Sequence, residues 1–290
     1  MLTKLETWFY QNLHWLRRLV QLFSLLLILA IPLLNRWGWH ELQGTFYSMQ
    51  IGGLEIVDPA LALQTILLTK TVGFSLLLMA AIPLIVALLL GKVFCSWMCP
   101  FNFLAELGRI LRTKMSSRKN EIGQYNPNPR HYWMVLSVLL LFSLFLATPL
   151  LTLLSMPGQI SGLLGDLIFA GMLGIEWLLV LVLLLLEIFL SRRIWCRMIC
   201  PVGAVLAIPR ARYQMRVKYT PSHCSCSPGH RPCVEACPLY LNPRQPGIYP
   251  FCYNCGDCVD ACRSEGCALL FKTDIRPIGQ ISDKSARQLD

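Results

Sequence analysis

The chain has 290 residues, of which 55% are hydrophobic and only 14% charged, against about 25% charged in an average soluble protein. This balance excludes an ordinary soluble globular class and points to a membrane protein with a small polar end. The formal net charge of +10 does not signal nucleic-acid binding, because the basic residues gather at the ends of apolar stretches and no nucleic-acid motif accompanies them.

Residues 1–16 read as an interfacial segment, with Trp8, Phe9, Tyr10 and Trp15 ahead of Arg17 and Arg18, the mixture that rests in the headgroup layer of a bilayer. Four apolar stretches follow, each near the roughly 20 helical residues that cross a bilayer. They run from Arg18 to Leu34, Thr71 to Gly91, Trp133 to Leu154 and Gly171 to Leu190. The first has no small-residue cleavage site after it, so it reads as a retained anchor rather than a signal peptide. Leu178 to Leu186 is apolar all round rather than on one stripe, as a lipid-facing helix is.

Positive charge orients these stretches. Lys4, Arg17 and Arg18 precede the first, and Lys92, Arg109, Arg112, Lys114, Arg118, Lys119 and Arg130 lie between the second and third. Only Arg36 and Lys70 lie between the first two. The bias puts the N-terminus, the middle loop and the C-terminal segment in the cytoplasm.

Residues 17–216 contain a repeat. Phe94-Cys95-Ser96-Trp97-Met98-Cys99-Pro100 follows the second stretch and Trp195-Cys196-Arg197-Met198-Ile199-Cys200-Pro201 follows the fourth. Cysteines four apart share one helical face, and the proline limits the helix before it. Cys95, Cys99, Cys196 and Cys200 are therefore redox or metal thiols at the cytoplasmic membrane face, holding a cluster or another soft metal or acting as redox-active dithiols.

Residues 217–275 carry the densest motif. Cys252, Cys255, Cys258 and Cys262 form a C-x2-C-x2-C-x3-C run, the spacing of a 4Fe-4S cradle whose last cysteine serves a second cluster. Zinc sites instead pair two short knuckles across a longer spacer. By the same interlocking, Cys237 completes one set with Cys252, Cys255 and Cys258. A second, irregular set comprises Cys224, Cys226, Cys233 and Cys262, in which C-x-C replaces C-x2-C and Arg263 stands where proline often follows. Its type, 4Fe-4S or 3Fe-4S, and its presence stay open, with Cys267, His223 and His230 as further nearby ligand types. Residues 276–290 form a polar tail.

None of the histidines His14, His40, His131, His223 and His230 lies mid-stretch, so no bis-histidine haem fits inside the bundle. No nucleotide-binding glycine pattern occurs. Electrons then enter from a partner or a membrane-soluble carrier. Glu187 is the carboxylate well inside an apolar stretch on the cytoplasmic half, nine residues before Cys196 and about 13 Å along a continuous helix. It is a candidate proton acceptor, and equally a glutamate paired with Arg192 or Arg193. Glu176, Lys70, Asp58 and Glu55 fall on the opposite side.

The expected fold is thus an all-α bundle of four transmembrane helices, made of two repeated two-span units, with a small C-terminal ferredoxin-like iron-sulfur domain. The paired C-x3-C-P motifs, the Ser191-Arg192-Arg193 approach to the second, Pro201-Val202-Gly203-Ala204 after it and the C-terminal cysteine run resemble the NapH/MauN family, membrane ferredoxin-type subunits of the periplasmic nitrate reductase quinol-dehydrogenase pair. The C-x3-C-P pair is shared with a wider group that includes a nitrous-oxide reductase regulator and copper-oxidase assembly ferredoxins. The resemblance implies a quinol dehydrogenase component in the bacterial inner membrane. It would carry one or two 4Fe-4S clusters, take electrons from the quinol pool and pass them to another ferredoxin-type subunit serving a periplasmic redox enzyme. The alternative is a metallocentre assembly or regulatory protein that handles copper.

Overall fold

The structure is a computed structural model and describes residues 4–115, 126–169, 171, 174–190, 193–209, 214–226, 231–263 and 268–273, with the backbone alone at 4–11, 113–115, 190 and 273. Ser191, Arg192, His230, Cys267, the 276–290 tail, Arg118, Lys119 and the side chains of Lys4, Trp8, Phe9, Tyr10 and Lys114 lie outside this description.

Helix α1 runs Lys4–Arg36. Its segment Asn12–Arg36 has mean hydropathy 1.9 and is the one helix among the described residues long and apolar enough to cross a membrane. It buries Leu13, Arg17, Gln21, Ser24, Ile28 and Ile31, a stripe at steps of three and four that marks one helical face. Trp15, Leu19, Leu22, Phe23 and Leu26 point outward and are exposed. The helix is polar inside and apolar outside along its first half, the inverse of a soluble amphipathic helix, and fits a membrane protein.

The other three expected spans are shorter. Helix α2 (Pro59–Thr69) precedes α3 (Phe74–Leu90), whose 17 residues give about 25 Å against a hydrocarbon core of about 30 Å. Gly91, at φ 76°, ends it. After the short α4 (Val93–Trp97) and α5 (Pro100–Met115), the third stretch is broken in two. Helix α6 covers Pro129–Phe145, the chain turns through Ala147 at φ 49° ahead of Pro149, and α7 (Leu150–Leu153) and α8 (Met156–Phe169) follow. The fourth is α9, Glu176–Leu190, of 15 residues. The expected four-span bundle is therefore corrected to a helical fold with one membrane-length helix. Apolar composition runs on through the residues ahead of Phe74, the turn at Ala147 and Pro149, and the glycines before Glu176, none of which continues a helix.

Two small sheets complete the fold. Strands β1 (Leu42–Gly44), β2 (Ser48–Ile51) and β3 (Leu54–Val57) form an antiparallel meander. The β1–β2 tip lies against α8, where the Tyr47 ring occupies the space a side chain on Gly158 would need and Tyr47 Oη donates to Thr152 O at 2.8 Å. Helix α10 (Pro201–Val205) leads to β4 (Met215–Tyr219), which pairs antiparallel with β5 (Leu269–Thr273), Val217 opposite Phe271. Between them lie α11 (Pro232–Glu235) and α12 (Asp257–Arg263). One core joins Ala60 of α2 and Tyr132 of α6 to Val202, Val217, Phe251 and Leu269, so the cysteine-rich segment packs into the helical body. A second core surrounds Cys99, Phe101, Met156, Leu163, Val180 and Trp195.

Candidate functional site

The two C-x3-C-P motifs meet. Cys95, Cys99, Cys196 and Cys200 line a single enclosed cavity. In neither motif do the paired cysteines ride one regular helix. Cys95 lies in α4 and Cys99 past its end, while Cys196 lies in a π turn, Trp195–Ile199, that Cys200 caps. Each proline opens the next helix, Pro100 at the start of α5 and Pro201 at the start of α10. Proline suits a first helical position because its missing N–H would have no partner there. The cysteine before it stands where the N-cap falls, with Cys200 the N-cap residue of α10. Burial pushes the Cys99 thiol up to about 12. It raises Cys95, Cys196 and Cys200 as well.

A second enclosed cavity is lined by Cys237, Cys252, Cys255 and Cys258. Its loop depends on two residues with positive φ, Asn254 at 52° and Gly256 at 89°. Asparagine tolerates that region and glycine is free in it. Asn254 Nδ2 donates to Leu90 O and Met215 O, both at 2.8 Å, and its Oδ1 accepts from Tyr249 Oη at 2.7 Å. A Cβ on Gly256 would lie 2.3 Å from Leu13 Cδ2. The Leu241 amide donates to Cys237 Sγ at 3.4 Å.

The two cavities share a wall. Tyr253 lines both, and Ser96 Oγ, inside the first C-x3-C-P motif, donates to Tyr253 O at 2.7 Å. Buried cations surround the pair. Lys92 lies within electrostatic reach of Cys95, Cys196 and Cys200 on one side and Cys252 on the other, its pKa lowered by burial, and Nζ contacts Tyr132 Oη at 3.3 Å. Arg17 pairs with Glu106 at 2.5 Å and with Asp257, beside Cys255. Arg193 holds the Asn102 side chain near Cys99. Arg17 and Lys92 were not legible as site residues in the sequence, because each counted toward topology; Arg193 stood out there only as a partner for Glu187 and as part of the approach to the second motif.

The irregular cysteines form a third group without such a cavity. Cys233 and Cys262 are buried and Cys224 and Cys226 half-buried. Arg244 Nε donates to Cys233 Sγ at 3.3 Å, and its side chain also reaches Cys226. Among the described residues no three His, Cys, Asp or Glu side chains converge closely enough for a single metal ion.

Glu187 does not stand a helix length from Cys196. The chain reverses through Arg193 at φ 48°, and Glu187 Oε1 accepts the Trp195 amide at 2.5 Å, with its charge near Cys196. Its Oε2 is buried without a partner. Asp58 caps α2, accepting from Ala60 N at 3.0 Å.

The donor sets and their surroundings fit iron-sulfur clusters: four thiols to each enclosed cavity, the Leu241 amide donating to sulfur, and buried cations to offset anionic ligands. The 4Fe-4S binding domain family matches residues 72–118 and 173–218, around the two C-x3-C-P motifs. This corrects the expected fold again, since these iron-sulfur matches fall in the helical body and not in a C-terminal ferredoxin-like domain. The chain is 33% identical to the methylamine utilization ferredoxin-type protein MauN of Methylorubrum extorquens over 67% of its own length and 64% of the relative's. For MauN of Paracoccus denitrificans the figures are 32%, 68% and 66%, so the chain spans about two thirds of each MauN protein. It is 30% identical to the ferredoxin-type protein NapH of Escherichia coli over 86% of both chains. No solved structure matches. With two four-cysteine cavities in one body and this likeness across most of its length, the chain belongs to the NapH/MauN family of ferredoxin-type proteins and is an iron-sulfur electron-transfer protein.

Proposed function

We propose that the protein oxidises quinol at the bacterial inner membrane and passes electrons through 4Fe-4S clusters to another ferredoxin-type subunit that serves a periplasmic redox enzyme. The observation that carries this reading is the shared wall: two four-cysteine cavities separated by Tyr253 and joined by the Ser96–Tyr253 hydrogen bond. Cys237, Cys252, Cys255 and Cys258 hold one cluster, and Cys95, Cys99, Cys196 and Cys200 hold the other. A cluster in such a set supplies one-electron exchange at a potential set by hydrogen bonds, charge and solvent access.

The chain's own groups provide those settings. The Leu241 amide donates to Cys237 Sγ, the Lys92 amine lies within electrostatic reach of cysteines of both cavities with burial working against its charge, and the enclosing side chains keep water from both. Cys224, Cys226, Cys233 and Cys262 are the ligand set for a further cluster, with Arg244 beside them to offset its charge. Arg17 and Arg18 ahead of the apolar run of α1 put its N-terminus on the cytoplasmic side.

Purified protein in lipid, titrated with menaquinol or ubiquinol analogues, should show cluster EPR signals appearing as quinol is consumed. Full iron content with no reduction by any quinol would defeat the proposal. Glu187→Gln tests the proton-acceptor role separately. Unchanged quinol-driven reduction with intact clusters removes Glu187 from proton transfer and leaves it as the group that holds the Trp195 amide.

A further inference from the structure

A third cavity, of about 310 Å³, lies outside both cysteine sites. It is enclosed by the C-terminal turns of α1, the β1–β2 tip and the face of α8 that carries Ser161, Gly162 and Gly165. Its size is within the range of small-molecule pockets. A Cβ on Gly162 or Gly165 would meet nothing within 4 Å, so both glycines leave the floor open.

Its walls are mostly apolar, with Thr45, Ser161 and the Asp166 carboxylate also in the lining and with one unmet polar demand. Asn35 Oδ1 is buried without a partner. Ser161 Oγ is already engaged, accepting from Phe46 N at 3.0 Å and donating to Gly158 O at 2.9 Å. An occupant that is only apolar, such as a lipid tail, leaves the Asn35 oxygen unpaired at a cost of about 1–3 kcal/mol. An aromatic hydroxyl donates to it. The mouth is apolar too: Phe169 of the lining is 61% exposed and Leu33 of α1 is 42% exposed, on the helix that fits a membrane span.

The cavity is close to the first thiol group. Ser24 Oγ of α1 bonds Met98 O between Cys95 and Cys99, and the cavity begins at Ile28, about 6 Å further along the helix. Phe46 of its lining packs edge-on against Phe94, centroids 5.7 Å apart at 86°, and Phe94 lines the cavity of Cys95, Cys99, Cys196 and Cys200. We propose that this cavity binds the quinol headgroup, with a ring hydroxyl donating to Asn35 Oδ1, the ring beside Phe46 and the apolar tail leaving past Phe169. This inference rests on the quinol reading above and adds the place, which is away from Glu187 and on the side of Glu55 and Asp58, where Met49 of the lining pairs with Ile56.

The full-length protein in liposomes is irradiated with a photoreactive azidoquinone and the labelled peptides are mapped by mass spectrometry. Label is expected on the segments around Asn35, Met49 and Phe169, displaced by excess quinol analogue. Gly162→Phe fills the open floor and should lower that labelling about tenfold or more, with iron content and the dithionite-reduced EPR spectrum unchanged. Asn35→Leu, which touches no cysteine group, should weaken displacement by quinol about tenfold, the worth of one hydrogen bond of about 1.4 kcal/mol. Label that maps around Glu187, resists excess quinol or persists in both variants overturns the site. Labelling here in a protein whose clusters no quinol reduces keeps the pocket and defeats the proposed reaction instead.

Discussion

Asn254 and Gly256 carry more of the second cavity than their size suggests. Asn254 ties the cysteine loop to the end of α3 and to β4 through its amide, and Gly256 lets Leu13 of α1 lie where any side chain would stand. Gly256→Ala meets both the positive φ and the Leu13 contact. It should lower iron bound at Cys237, Cys252, Cys255 and Cys258 while sparing the other cavity, as read by iron analysis and EPR of the two sites. Arg17→Met leaves Glu106 with Arg18 alone and deprives Asp257 of its partner. Breaking a buried pair in this way costs about 3–5 kcal/mol, which denaturant unfolding should register. The cysteine spacing was legible in the sequence because cluster ligation constrains it over a few residues. Arg17, Lys92 and Arg244 were not, because a buried arginine near cysteines distant in the chain reads the same as a flanking charge.

At the scale of elements, Cys–Pro is a helix start. From the sequence the proline limits the preceding helix; the structure shows it opening the next one, with cysteine at the N-cap position, where first-turn amides need an acceptor. Serine is a good N-cap and a poor iron ligand. Cys99→Ser is therefore expected to keep α5 and apo-protein stability within about 1 kcal/mol while abolishing the EPR signal of the C-x3-C-P cavity; loss of the fold in the apo form would reject the capping account. Asp58 caps α2 under different electrostatics. Burial pushes its carboxyl up to about 6, above the ordinary value of about 3.9. The folded form then holds the proton more tightly, so stability is greatest below about pH 4 as far as this group is concerned and falls as pH rises to about 6. Thermal melts across that window should show the decline, and Asp58→Asn should flatten it; identical slopes in the two proteins would exclude Asp58 as its source.

Over the whole molecule, composition revealed the membrane character of α1 and misjudged the rest. The apolar run from Trp133 to Leu154 reads as one span although Ala147 and Pro149 interrupt the helices that carry it. The repeat was legible; that its halves close on one another around four thiols depends on contacts far apart in sequence. Helix α1 turns Arg17, Gln21 and Ser24 inward and Leu22 and Leu26 outward. If the outward face meets lipid, Leu26→Asp carries a penalty of about 2.5–3.5 kcal/mol near the helix centre, whereas a surface change in water stays within about 0.5 kcal/mol. The fraction of protein remaining in carbonate-washed membranes should fall sharply for Leu26→Asp, and unchanged retention would place that face away from the bilayer.

The bond from Ser96 to Tyr253 ties the maturation of one cavity to the loop of the other. The C-terminal loop furnishes a wall of the chamber that the C-x3-C-P cysteines line, so a chain still lacking that loop, as during synthesis, has the four earlier cysteines but an open chamber. Filling of the C-x3-C-P cavity should accordingly wait until the later Tyr253 loop has been made and has folded against it, whether or not that loop's own cavity is loaded.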